Sequence, residues 1–310
     1  MKLPRIVPIT VALVLLMILP LIENLRAEQR PSLKGEGITI FYDQSVSNQA
    51  QSLRYNYSEL RSQVEKKIGW KLKSKPTVYL IGTENGFRKM GGNDSMAAFT
   101  LIGKARIVIN LASFDRFIGF DHTFRHELCH VLLHDHIRRR LPDWTEEGIC
   151  EWVGGLRRYG IARIEDIFGA FSLYRHGAPL AKLRDFSGAH TGIRMAYIQS
   201  GSFIGFVSDR YGEDGIRRIL GRLKSGDTVD RAFQNGLSKP LKSVESEWRQ
   251  ELENRAKWLI LIQEGVEQAG SSARMLLRVL IANRETAIFY LVIVILLFGS
   301  IRIVTKARRR

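Results

Sequence analysis

The chain has 310 residues, enough for one good-sized domain or two small ones, and its 45% apolar and 25% charged residues are ordinary for a globular protein. Its formal charge is +16, and its two cysteines, Cys129 and Cys150, exclude a disulfide framework or a thiolate zinc site. No internal repeat or low-complexity segment interrupts it.

The first 27 residues hold an uncharged run, residues 6–22, preceded by Lys2 and Arg5. This run reads either as an uncleaved signal anchor or as a signal peptide with Leu25-Arg26-Ala27 as its cleavage site. A polar linker at 28–37 follows, inside a longer polar stretch from Glu23 to Gly37. A domain then spans 38–265, with a sheet part at 38–115 and a helical part at 116–265. In the sheet part, 38–42 (ITIFY) and 77–81 (TVYLI) read as strands, and 48–68 has helical spacing through Leu53, Tyr57, Leu60, Val64 and Ile68. Gly91-Gly92-Asn93-Asp94 reads as a turn, and 97–102 and 106–111 flank Gly103-Lys104 as a hairpin. Beyond residue 120 the spacing predicts helices near 121–136, 143–155, 164–174, 194–211, 213–224, 228–235 and 241–264. Strands followed by helices predict an α+β fold: a small mixed sheet, then a mainly helical lobe.

Residues 266–285 form a basic amphipathic segment that either lies on a membrane surface or continues the next helix. An uncharged run at 286–301, extending to 305 if Arg302 snorkels, predicts a transmembrane helix, and the tail 306–310 is basic. Positive residues favour the cytoplasmic side, so both ends predict an extracytoplasmic middle domain and a cytoplasmic tail. The flanks Lys2, Arg5, Arg302, Lys306, Arg308, Arg309 and Arg310 contain no acid, and the rest of the chain is still basic. Between membrane segments this charge argues for lipid headgroups or a generally basic surface rather than nucleic acid.

Residues 126–130 read His-Glu-Leu-Cys-His, an H-E-x-x-H pattern. On a helix His126 and His130 share a face and can reach one metal, while Glu127 is turned about 100° aside and can serve as general base. Phe124, Leu128, Val131, Leu132 and Leu133 supply the apolar surroundings of a buried helix. A second segment, Pro142-Asp143-Trp144-Thr145-Glu146-Glu147-Gly148-Ile149-Cys150-Glu151-Trp152, follows, with Asp143 or Thr145 as its cap. Glu147 can supply a third ligand, and Glu151, one turn on, can accept the second N–H of a ligating histidine. Three ligands leave a fourth position open, as a catalytic zinc site requires. Glu146 can exchange roles with Glu147, but only Glu147 has an acid four residues on.

His122, His126, His130 and His134 form a stripe with a spacing of four, from which a straight helix presents one pair to a metal; His122 and His134 are expected to be solvated or to support that pair. His136 sits where a third histidine ligand would follow a helix break, but Leu133 stands where that break needs glycine. Cys129 and Cys150 either approach as a disulfide or fill the helix interface as small buried residues.

On HELCHVLLH, LPDWTEEGICEW, residues 196–203 (AYIQSGSF) and Arg210-Tyr211-Gly212, the chain resembles the gluzincin metallopeptidases, in particular the compact peptidase MA-like domains, over roughly residues 75–255. The resemblance implies Zn2+ held by His126, His130 and Glu147, with Glu151 behind them, Glu127 as catalytic base, and a peptide or protein as substrate. It also implies a downstream oxyanion stabiliser, for which Tyr197 is the first choice and His190 the alternative. By analogy the strand at 106–110 would be the edge that pairs with substrate. The Gly-x-Met-Glu-Asn loop of larger aminopeptidases is absent from the sequence, so aminopeptidase action is not expected. Arg125, Asp135 and Arg138 to Arg140 exclude an intramembrane version of the motif. The rival expectation is an inactive domain of the same fold acting as a binding or scaffolding module at the membrane.

Overall fold

Alternating apolar side chains at Ile38 and Ile40, Val78 and Leu80, and Ile107 and Ile109 give three strands a common buried face. The computed structural model describes residues 30–94, 96–112, 119–155, 170, 173–186 and 192–268. In chain order the elements are β1 (Ser32–Gly35), β2 (Ile38–Tyr42), α1 (Ser47–Ile68), β3 (Thr77–Ile81), α2 (Glu84–Lys89), β4 (Ala98–Leu101), β5 (Arg106–Asn110), α3 (Phe120–His136), α4 (Asp143–Gly154), α5 (Ile193–Lys224), α6 (Val229–Leu237) and α7 (Leu241–Gln268). The fold is α+β, with a five-stranded mixed sheet in the order β1-β2-β3-β5-β4. Its three central strands β2, β3 and β5 are parallel, and each edge strand is antiparallel to its neighbour.

Two details differ from expectation. Residues 32–35, assigned to the linker, form edge strand β1 by pairing with β2. The substrate-facing edge assigned to 106–110 is an interior strand, β5, and the edge on that side is β4. Chain order misled here: the hairpin folds its first strand outward and lays its second beside β3.

One face of the sheet is covered by α1, through Leu53, Tyr57, Leu60, Val64 and Ile68, and by α3, through Phe124, Leu128 and Leu132. On the opposite face Ile81 and Val108 pack with Phe87 of α2. The helical lobe closes around an aromatic cluster. The Phe203 ring lies 5.5 Å from Trp144, 5.9 Å from Phe233 and 5.7 Å from Trp248, which ties α4, α5, α6 and α7 together. The break expected between residues 211 and 213 is a kink inside α5 at Gly212, where φ is 74°.

The expectation of a membrane-anchored domain is corrected. Among the described residues no helix is long and apolar enough to cross a membrane. The long helices α5 and α7 carry charge along their length, as at Arg210, Glu213, Asp214 and Arg217 in α5 and Glu245, Glu247, Arg249 and Glu251 in α7. The runs at 6–22 and 286–305, most of the segment 266–285 and the tail 306–310 lie outside the described residues. The membrane location, and the extracytoplasmic and cytoplasmic sides drawn from those runs, are withdrawn. The helix expected at 164–174 lies largely outside the described residues as well.

α4 approaches α5 closely at Gly148. A Cβ there would meet the Ser200 carbonyl oxygen at 2.6 Å and Ile204 Cγ1 at 2.8 Å. Backbone cannot yield as a flexible side chain would, so Gly148→Ala is expected to destabilise the chain by about 1–3 kcal/mol, read from chemical denaturation.

Candidate metal centre

α3 buries eleven of its residues in one stretch, His122 to Thr123 to Phe124 and then His126 to Leu133, because it lies between the sheet and α4. α4 begins after Pro142 and runs back across α3 in the opposite direction, so that Glu146 meets His134 and Glu151 meets His122. The first turn of α4 is anchored differently from expectation. Neither Asp143 nor Thr145 caps it; the Asp143 carboxylate accepts the Phe186 N–H at 2.9 Å instead.

The two helices interleave their imidazoles and carboxylates. In order along the interface, His122 Nε2 is 3.7 Å from Glu151 Oε2, and Glu151 Oε1 is 3.4 Å from His126 Nδ1. His126 Nε2 is 3.2 Å and His130 Nε2 3.5 Å from the same Glu147 Oε2. His130 Nδ1 and His134 Nε2 are both 2.8 Å from Glu146 Oε1.

The centre of this row is a His-His-Glu cluster that can hold a metal: His126, His130 and Glu147. The two Nε2 atoms are 3.2 Å apart. With the distances to Glu147 Oε2 they form a nearly equilateral triangle. A tetrahedral centre with bonds of about 2.0–2.2 Å needs donor separations of about 3.3–3.6 Å, so the triangle has the right size. Glu147 Oε2 is buried without a hydrogen-bond partner, and both Nδ1 atoms are turned away from the triangle toward carboxylates. These residues therefore fit a metal ion, and they leave one tetrahedral position open.

The flanking acids separate by role. Glu146, the rival third ligand, lies on the Nδ1 side of His130 and cannot reach the point that Nε2 faces. Burial pushes the Glu146 carboxyl up, but hydrogen bonds from His130 and His134 outweigh it and hold it down to about 2. Burial raises Glu151, with the Glu147 charge adding to it and His126 opposing. For Glu147, burial is outweighed by His130 and His126, which hold it well below the usual carboxylate range. His122 is pushed down to about 4 by burial and by neighbouring His126, Arg125 and Lys67, so it is a neutral imidazole.

Glu127 stands outside the triangle. Its Oε2 accepts from the Thr100 hydroxyl on β4 at 2.6 Å, and the same hydroxyl lies 3.2 Å from its carbonyl oxygen. Tyr197, on the first turns of α5, packs edge-on against Phe186 and lies near the Glu147 carboxylate. Burial, with the charges of Glu147, Glu127 and Glu151, drives its pKa far up, so the phenol keeps its proton. His190 lies outside the described residues. His136 points away from the centre: its Nε2 bonds the Lys71 carbonyl at 2.8 Å and its ring packs at a tilt against Trp70. Cys129 and Cys150 are free, buried thiols that neighbour one another across the α3–α4 interface.

Thr100, and the pairing of Glu146 with His134, were not anticipated. For Thr100 the sequence holds no local signal. For Glu146 the signal is present in the histidine stripe and the paired acids, but reading it needs the antiparallel helix order. No protein-family model and no curated protein matches the chain, so the likeness to gluzincins stands on the motif residues alone.

The metal-free electrostatics carry a pH consequence. Burial disfavours the His126 imidazolium, but the Glu147 and Glu151 carboxylates beside it outweigh burial and lift His126 to about 9; His130 is raised as well. A metal must displace a proton from these rings. Affinity for Zn2+ is therefore expected to rise from pH 7 to about 9, by about tenfold per pH unit for each proton released. Calorimetric titrations in buffers of different ionisation enthalpy measure that release; pH-independent uptake would contradict it.

Proposed function

We propose that the chain is a zinc-dependent peptidase of gluzincin type, with Zn2+ on His126, His130 and Glu147. The observation that carries this reading is Glu127: a carboxylate beside a three-ligand centre with an open position, held by Thr100 on a sheet edge that is unpaired among the described residues. Two imidazoles and one carboxylate suit zinc, which when bound supplies Lewis acidity toward water and a scissile carbonyl.

The protein's own groups divide the remaining work. Glu127 Oε2, fixed by the Thr100 hydroxyl, takes a proton from the attacking water and returns it to the leaving amine. Tyr197, kept protonated by burial and by the surrounding carboxylates, donates its hydroxyl to the oxyanion that develops. Glu151 and Glu146 lie on the Nδ1 sides of His126 and His130 and orient their rings.

The substrate edge is β4. Asn110 N–H bonds the Ala97 carbonyl, so the hydrogen-bonded pairs along the ladder include Phe99 with Val108 and Leu101 with Arg106. The N–H and C=O of Ala98 and Thr100 then face the open edge, where an extended peptide can add as a further strand. Thr100 thus meets Glu127 through its side chain and substrate through its backbone.

Glu127→Gln separates this reading from an inactive binding module. In a peptide-library digest the variant is expected to lose about 10²–10⁴-fold in rate while keeping stoichiometric zinc. A zinc-loaded wild-type chain that cleaves nothing, with or without chelator, would overturn the proposal. Thr100→Val, which keeps shape and removes the hydroxyl, is expected to lower kcat about tenfold with little effect on KM, and Thr100→Ser to restore it. Equal activity in the valine variant would show that Glu127 does not depend on that hydrogen bond.

A further inference from the structure

We propose that His134 is a positioning residue for the metal centre, acting through Glu146 on the ligand His130. His134 is one helical turn beyond His130 on α3 and is not one of the three residues of the His126–His130–Glu147 triangle. What it does meet is Glu146. One carboxylate oxygen, Oε1, stands 2.8 Å from His130 Nδ1 and 2.8 Å from His134 Nε2.

The chemistry of that oxygen sets both rings. An ionised carboxylate accepts hydrogen bonds and cannot donate them, so the nitrogens on either side must both carry hydrogen. His130 is thereby fixed as the Nδ1–H tautomer, which leaves the Nε2 lone pair directed at the triangle, where a metal needs it. His134 is fixed as the Nε2–H tautomer.

Glu146 needs such a second donor. It belongs to the first turn of α4 and its neighbour Glu147 holds the other side of the same imidazole. A glutamate side chain with a single partner can rotate about its own torsions and take His130 with it. Two donors converging from successive turns of α3 hold the carboxylate in one place. The His134 side chain is 20% exposed against 13% for Glu146, so the row runs from the more exposed ring to the buried ligand. The row His134–Glu146–His130 is a tether from the protein surface to a ligand atom.

The inference rests on the metal reading of the triad and not on peptidase activity, and its test is read without turnover. The full-length chain is stripped of metal, and the affinity for Zn2+ is measured by competition with a chromophoric chelator. The visible spectrum of bound Co2+ reports the geometry. Glu146→Ala is expected to weaken Zn2+ binding 10- to 100-fold, and His134→Leu about tenfold. His134→Gln, whose amide can still donate to Glu146, should stay within about threefold of wild type. Because the effect passes through Glu146, the double variant His134→Leu/Glu146→Ala should bind no more weakly than Glu146→Ala alone.

Unchanged affinity in His134→Leu would overturn the proposal, as would an additive loss in the double variant or a glutamine variant as weak as the leucine one. Thermal melting of the metal-free forms checks folding. Should the leucine variant not fold, His134→Gln decides: near-wild-type affinity supports the tether, and a tenfold loss overturns it. A wild-type chain that takes up no Zn2+ removes the metal site, and this inference with it. Uptake by wild type with an unaffected leucine variant removes the inference alone.

Discussion

The antiparallel packing of α3 on α4 is the constraint from which the rest of the centre follows. Each helix repeats its chemistry with a helical period: histidine at every fourth residue of α3, and acids at 146, 147 and 151 of α4. Run in opposite directions and brought into contact, these two patterns mesh as alternating imidazole and carboxylate. The contact is close because small residues line it. Cys129 and Cys150 meet between the helices, and on the far side Gly148 lets α4 sit against the α5 backbone.

Such an interface is costly unless it has a centre. Four imidazoles and three carboxylates are withdrawn from water between two helices, and buried ionisable groups need partners. At the ends of the row the partners are each other: Glu146 takes two imidazoles, and His122 is neutral. In the middle, two Nε2 atoms and one carboxylate oxygen converge with no donor between them other than a proton on histidine. A cation is the group that satisfies all three together. The same concentration of carboxylates keeps the Tyr197 phenol protonated, so the features that suit a cation also preserve a hydrogen-bond donor beside it.

Legibility in the sequence tracks the range of the interaction. The pair His126 and His130 is a property of one helix, and its spacing alone specifies it. Glu147 required a second helix, but the i,i+4 relation to Glu151 within that helix singled it out from Glu146, and the geometry agrees. The α+β order and most element positions follow from periodicity for the same reason. What periodicity does not carry is the order of strands in space. The hairpin at 97–111 was readable, but which of its strands lies outermost depends on where β5 finds a parallel partner, and that partner is β3. Thr100 was invisible on the same account, since its role depends on β4 being the edge. His134 and Glu146 fall between these cases, being regular within each helix and meaningful only once the helices are known to run in opposite directions.

The edge position of β4 also explains how the sheet and the helical lobe, which share one core, make one site. The apolar face of the sheet and α1 run into the same core as α4 to α7, which gather around Phe203. α3 belongs to both, with Leu128 and Leu132 in the shared core while its histidines face α4. Glu127 on that helix reaches back to the edge of the sheet, and Thr100 is what it finds there. An interior strand could not serve, because its outward N–H and C=O groups would already be paired. Only an edge strand can present a side chain to α3 and keep an open backbone beside it. On the proposed reading, a peptide added to that edge is held by the strand that also holds the base, so binding and proton transfer share one registration along β4.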